Sequence, residues 1–575
     1  MRKQKTQGNL QLLNTIYDKP KYRPEDKNQY YDILTYVYRD ESTGKKSIKE
    51  VISPKFSYYV IKEECETNFK LAEATMEELD KRNCRYQDLL RDMCIVMGKD
   101  EEFKSLQKRK EFGKVKEMTF HSGLFFGADI NIEDYSINQW ILDNPDAKNI
   151  KLSKSYLDIE CDTTDYKGFP DEHEAPCPIN VITYVNADDS SSHTFILRKT
   201  KRPETVEQIK KLEKACKSGK YQEYLKKKFE ADFGEIKYNF YFYDSEIELL
   251  EDCLQCINEY KADYCGIWNM TFDILTMINR WEFLTGRPKE ELFCHPDFSN
   301  SVCNFYEDNK HQKHGDKNTA FTLTSYTQFV DLLIIFAAIR RGMGERESYK
   351  LTDICLEEIG QTKEKFDDDA DNLTDLINKN FRKFITYNIK DVLLMKKLEE
   401  KNNDIDTLYQ ISLLTGTRFS HTMRKTVSLA NLKYKTFLHQ GRVPWCNMNT
   451  NYTENNSSAE TFEGALVADP NLNAHEGIKI YGNKSMFIFD NVIDFDLAAL
   501  YPNIIRAFNV SITTQFGKLI ITDENQITQK EGERMVQAFM EGLNSRDYGY
   551  IGIRFFGLDP IEKLCEKLEE EMGVS

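Results

Sequence analysis

The chain has 575 residues, 40% hydrophobic and 12% aromatic, which supplies enough apolar surface for several packed cores and excludes a disordered polymer. Its 94 acidic and 78 basic side chains leave a net charge of −16, which argues against a general polyanion-coating protein. The same balance suits an enzyme that gathers carboxylates around metal ions and meets nucleic acid through local basic strips. No apolar run is long enough to cross a membrane, no signal-peptide core precedes residue 30, and the 14 scattered cysteines suit reduced thiols in a cytoplasm.

In chain order, residues 1–125 mix β-rich stretches with a charged helical stretch near 76–115 and read as an α+β N-terminal domain. From 126 to 400, apolar strands alternate with amphipathic helices, the signature of an α/β domain. The strands are expected in KSYLDIECD and PINVITYVN. A long Lys/Glu-rich helical stretch follows at 203–231, then a strand and helix in YNFYFYDSEIELLEDCLQCINEY. Cys253 and Cys256 fall on that helix and read as helix-face residues. Residues 401–445 read as a helical segment returning to the N-terminal domain. In 446–575 a polar loop at 449–461 precedes the strand MFIFDNVIDFD, and the sequence closes on a charged amphipathic helix. The fold class expected is therefore multidomain, α/β and α+β.

Three short patterns carry chemistry. Asp158 and Glu160 are two apart in a strand and so share a face. Two ionised carboxylates held close repel each other unless a cation sits between them. Asp273 opens a helix after Gly266-Ile-Trp-Asn269-Met-Thr-Phe272, where a carboxylate also suits the helix dipole. Tyr387 and Asp391 are four apart in a helical pattern and lie on one face. Alone, each is as well explained as a polar strand end, a helix start or a polar stripe. Together they put four carboxylates and a tyrosine, in order, in one α/β unit. Two-metal phosphodiester hydrolysis needs such a set, with oxygen ligands holding two hard cations about 3.5–4 Å apart.

These segments resemble the three exonuclease motifs of family B DNA polymerases, especially the tailed-bacteriophage type. The linking text SYTQFVDLLIIF and ESYKLTDICLEEIGQTK is similar as well. The resemblance implies an RNase H-like 3′→5′ exonuclease domain over 126–400. In it Asp158, Glu160, Asp273 and Asp391 would bind two Mg²⁺ or Mn²⁺ ions, and Tyr387 would position water. Asn269 and Phe272 would contact the frayed strand. Cys294, His295, Cys303, His311 and His314 fit no common zinc spacing, and the resemblance places a β-hairpin there.

Phe462-Glu-Gly464-Ala465 resembles the element that joins exonuclease and polymerase modules in this family, with Phe in place of its first Tyr. Asp494-Phe-Asp496-Leu-Ala-Ala499-Leu500-Tyr501-Pro-Asn503 resembles palm motif A. The resemblance makes Asp496 a catalytic metal ligand. It places Leu500 and Tyr501 at the incoming dNTP, with Tyr501 under the sugar. Ala499 and Asn503 stand where the family has Ser; the first removes a hydroxyl near the triphosphate, which implies an altered nucleotide affinity. Motif B, with its fingers lysine, and motif C, with the second palm carboxylate, are not found; Met540 stands where the lysine of a motif B imitation would be.

The expectation is the N-terminal part of a family B DNA polymerase for DNA replication, with a partial palm over 446–575. Its implied partners are primer–template DNA, single-stranded 3′ ends, a second polypeptide carrying fingers, motif C and thumb, and a sliding clamp. A truncated product, a free-standing exonuclease with a vestigial palm and a non-catalytic scaffold are the alternatives. Basic strips at Arg198–Arg202, Lys226–Lys228, Arg340-Arg341 and Arg424-Lys425 are candidate phosphate contacts.

Overall fold

The computed structural model describes residues 10–446 apart from 23–29, 64, 66–72, 146–149, 167, 199, 201, 309–311, 345 and 367–368; beyond 446 it describes 478–479, 485–486, 503, 507, 517–521 and 551–555. The protein is a mixed α/β molecule with several sheets. It divides into two compact units. The first comprises Met1–Tyr58, Lys81–Val115 and Ala128–Gly441, and the second Tyr59–Asp80, Lys116–Gly127 and Arg442–Ser575.

The first unit opens with an antiparallel sheet of β1 (Leu10–Tyr22), β2 (Tyr30–Asp40) and β3 (Lys46–Ile52). Its centre is a six-stranded sheet of β4 (Lys154–Cys161), β5 (Ile179–Asn186), β6 (Ser191–Leu197), β7 (Lys237–Tyr243), β8 (Tyr264–Ile267) and β9 (Gln328–Asp331). The spatial order is β7-β6-β5-β4-β8-β9. β5 runs antiparallel to both neighbours, and the other pairs are parallel. β5 and β6 are buried along their whole length, as strands covered on both faces are.

The covering helices are α1 (Ile132–Asp143), α2 (Pro203–Lys217), α3 (Lys220–Phe233), α4 (Glu246–Tyr260), α5 (Met270–Thr285), α6 (Leu332–Ile339), α7 (Leu351–Ile359), α8 (Phe381–Asn402), α9 (Asp404–Thr415) and α10 (Lys425–His439). Strand alternation sorts the core in two. Tyr156, Val181 and Ile196 face Leu225 of α3, Ile354 of α7 and Ile385 and Val392 of α8. Leu157, Ile159, Ile182 and Phe195 face Leu250 and Leu254 of α4 and Ile274 and Met277 of α5.

Charge fastens the first sheet to the second. Buried Asp263, just before β8, accepts from Arg39 Nη1 at 2.5 Å, pairs with Lys46 Nζ at 2.8 Å and accepts from Ser153 N at 2.8 Å. At the start of β4, Lys154 donates to Glu399 Oε1 at 3.0 Å and to Asp406. Asn138 of α1 donates to Gly416 O at 2.8 Å, and Asp134 accepts from Arg418 N at 2.7 Å, which holds the 416–418 turn.

Two local expectations change. The helical stretch expected over 203–231 is two helices, because Gly219 takes φ +76° between them, a conformation that side-chain-bearing residues avoid. The helical stretch expected near 76–115 opens with a single 3-10 turn, Met76–Glu78, and a strand, Leu79–Arg85, before its helices. Residues 80–83 are all exposed, so no apolar face selects a helix there.

In the second unit, Glu73–Thr75 pairs antiparallel with Arg442–Pro444, and Tyr59-Val60 with Phe125-Phe126. Gly517–Ile521 pairs with Ile551–Phe555. Phe462, Gly464, Asp496, Leu500 and Tyr501, the loop at 449–461 and the closing helix lie outside the described residues. Among the described residues no helix is long and apolar enough to cross a membrane, and no cysteine is in a disulfide.

Candidate active site

β4 and β8 are parallel, and their pairing ends at Gly266 opposite Tyr156. β4 continues past that point, so Asp158 and Glu160 lie beyond the carboxyl end of the paired segment, where open α/β sheets form their crevices. The period of two puts both side chains on the face of Tyr156, the face that α8 covers. From α8 comes Asp391, nearly fully buried. One carboxylate oxygen each from Asp158, Glu160 and Asp391 lie within 4.8 Å of one another.

Asp273 reaches the same strand from the other side. β8 ends in a turn at Asn269, which takes φ 65°, a left-handed conformation that Asn tolerates. α5 starts at once, and Asp273 in its first turn accepts from Ile159 N at 3.1 Å, between the two β4 carboxylates. The turn is fastened by Asp331, which accepts from Met270 N at 2.9 Å while capping α6 through Leu333 N and Ile334 N. Gly266 is required by contact: a Cβ there would stand 2.8 Å from the Leu332 side chain.

Lys363, in the segment after α7, donates to Tyr387 Oη at 3.1 Å and to Asp391 Oδ2 at 2.5 Å. Asn388 donates to Asp158 Oδ2 at 2.7 Å. The other Asp391 oxygen, Oδ1, is buried without a hydrogen-bond partner. Tyr387 is held edge-on by Phe366, with ring centroids 5.8 Å apart.

Burial first, and then the charge of Asp391, push Asp158 up to about 7. Glu160 is raised by burial and then by Asp158 and Asp391, and Asp273 by burial and then by Asp158. Burial raises Asp391 against the pull of Lys363. For Lys363, burial favours the neutral amine, but Asp391, Tyr387 and Asp158 together push its pKa up. Clustered hard oxygens, an orphaned buried oxygen and mutual repulsion are the donor chemistry of a site for divalent cations. A second cluster of such donors among the described residues, Glu172, His173 and Glu307, is a surface contact, with His173 Nε2 3.2 Å from Glu307.

Phe272 packs at 5.0 Å against Phe169, which is 78% exposed in the loop after β4. Asn269 is exposed beside them. The sequence reading missed Lys363, Asn388, Asp331 and Phe169, none of which stands in a diagnostic spacing. Cys303–Tyr306 does pair with Ala320–Leu323 in a hairpin. The basic strips are largely engaged with carboxylates: Arg198 with Glu213 and Asp244, Lys226 with Glu235, Lys228 with Glu364, Arg340 with Asp404 and Arg341 with Asp316.

The chain is distantly similar to family B DNA polymerases. It is 24% identical over 409 residues to the DNA-directed DNA polymerase of Escherichia phage RB69, covering 69% of this chain and 40% of that protein. It is 28% identical over 173 residues to the DNA polymerase delta catalytic subunit of Schizosaccharomyces pombe, covering 29% of this chain and 14% of that protein. The match thus spans less than half the length of these curated relatives. No family model matches the chain.

Proposed function

We propose that this chain contains a two-metal 3′→5′ DNA exonuclease that serves a family B replicative polymerase. The observation that carries the proposal is the convergence of Asp158, Glu160 and Asp391 within 4.8 Å, with Asp391 Oδ1 unpartnered. The central sheet order, with β5 as the one antiparallel member, fits the RNase H-like fold expected for such a domain. The distant similarity to two DNA polymerases supports DNA as the substrate.

In this reading Asp158, Glu160, Asp273 and Asp391 hold two Mg²⁺ or Mn²⁺ ions. Bound there, such ions would lower the pKa of a water and stabilise the leaving oxygen. Tyr387 Oη accepts from Lys363, which holds the hydroxyl beside Asp391, where in this reading it orients the attacking water. Lys363 also offsets the charge of Asp391. Phe169 and Phe272 offer ring faces on which unpaired 3′ bases stack, with Asn269 beside them. A mismatched end unstacks more cheaply, which favours its removal. Nucleotide incorporation, by the same proposal, uses Asp496 and Tyr501 together with a second palm carboxylate that these 575 residues do not supply.

The test is to incubate the purified chain with a 5′-labelled single-stranded oligonucleotide and Mg²⁺ or Mn²⁺. A ladder of progressively shortened labelled products, lost in Asp158→Asn, is expected, with no extension of a primer–template. No shortening, or shortening unaffected by Asp158→Asn, would refute the site; incorporation by these 575 residues alone would refute the need for a further palm carboxylate.

A further inference from the structure

We propose that the groove between α4 and the β6–β7 edge of the central sheet is a docking site for a cationic peptide segment, one presenting arginine or lysine side chains. The groove has a volume of about 400 Å³ and is built from other residues than the carboxylate site. It does not depend on the exonuclease reading.

One wall is aromatic. Tyr241 and Tyr243 are two apart on β7 and share a face with Phe195 of β6. Their rings stack on Phe195 at 5.1 and 6.3 Å, and His193 stacks on Tyr241 at 6.0 Å and 5°. Tyr241 is 38% exposed on a strand that, among the described residues, pairs with β6 alone. Edge strands ordinarily carry a lysine or another charge to ward off pairing. This one carries its lysine, Lys237, only at its first residue, and toward its end it presents ring faces beside an edge of the kind that accepts an added strand.

The facing wall is acidic. Asp252 and Glu259 are exposed on α4, seven residues apart and therefore on one side of the helix, about 10 Å apart along its axis. No lining side chain is lysine or arginine. His193 adds no cation near neutral pH: burial lowers its pKa, and its ring nitrogens contact the Tyr241 hydroxyl at 3.1 Å and the Tyr260 hydroxyl at 2.9 Å. Aromatic faces opposed to carboxylates are the chemistry that selects guanidinium and ammonium groups. The same carboxylates repel phosphate, so the groove is a poor site for nucleic acid.

The test uses the full chain and a fluorescein-labelled peptide of sequence Thr-Arg-Val-Arg-Thr, followed by anisotropy. Tyr241→Ala and the pair Asp252→Asn/Glu259→Gln are each expected to weaken binding about tenfold. The exposed pair Glu204→Gln/Glu207→Gln on α2, matched in charge, is expected to leave it unchanged. All substituted positions are exposed, and an unchanged circular-dichroism melt checks that Tyr241→Ala, which removes a ring stacked on Phe195, stays folded. Equal binding by every variant would show that the groove is not where the peptide binds, and an equal loss from the α2 pair would reduce the effect to net charge; either result overturns the proposal. So would weakened binding of a single-stranded oligonucleotide by the groove variants with no change in peptide affinity.

Discussion

Asp263 and Glu246 are buried carboxylates of the same unit that carries Asp158, Glu160 and Asp391, and their surroundings differ in kind. Asp263 meets Arg39 and Lys46 and accepts from a backbone amide. Glu246 meets Arg280 through both oxygens and accepts from Ile179 N at 2.9 Å. At the other cluster one side-chain amine, Lys363, serves three carboxylates through a single oxygen of Asp391. A buried anion without a cation is costly, and a fold keeps such a group where the missing charge arrives from outside. The pairs at Asp263 and Glu246 hold structure together, whereas the β4–α8 cluster lacks such a set of partners among the described residues, which is what the proposed metal site requires.

The largest expected break in that contrast is Asp158→Asn. Degradation of single-stranded DNA should fall on the order of a thousandfold or more. Thermal stability without metal should hold or rise, since a repelling charge is gone. A marked fall in Tm would place Asp158 with the structural carboxylates instead.

Asp263→Ala should do the reverse. It strands Lys46 and Arg39 and is expected to cost about 3–5 kcal/mol, read as a lower denaturation midpoint. A loss below about 1 kcal/mol would show that the N-terminal sheet is held by other contacts.

Metal and pH sharpen the comparison further. Asp158 is pushed up to about 7, and Glu160 and Asp273 are raised too, so the metal-free fold keeps protons that the unfolded chain has released. Stability from these groups is therefore full below about pH 4 and is lost as pH climbs through about 7. Bound Mn²⁺ relieves that loss. Its stabilisation, about 2.7 kcal/mol where the metal is in hundredfold excess over Kd, should at one fixed Mn²⁺ concentration be larger at pH 8 than at pH 6. Equal Tm shifts at both values would separate the cluster from metal binding. The smallest effect expected is that of Phe169→Ala, a loss of roughly 1–3 kcal/mol in single-strand binding, seen in KM more than kcat.

Much of this unit is legible in the chain. The alternation of apolar strands and amphipathic helices from 154 onward follows from burial on both sheet faces. The common face of Asp158 and Glu160 follows from the period of a strand, and that of Tyr387 and Asp391 from the period of a helix. Lys363 was hidden because nothing local marks it: its partner Asp391 is 28 residues away across a turn of chain. Asn388 was hidden likewise, 230 residues from Asp158. A run of charges such as the basic strips reveals its sign but not its partners, which the fold supplies.

By itself, then, the sequence determined which side chains share a face, since backbone periodicity is local. It also determined that four carboxylates occur in an order that matches a known nuclease pattern. Only the tertiary structure decided that β4 outruns β8, that α8 crosses the face carrying Asp158 and Glu160, and that Lys363 serves Asp391 while Asp263 and Glu246 receive cations of their own. Those outcomes depend on packing between segments far apart in the chain, where distance, burial and charge are settled together.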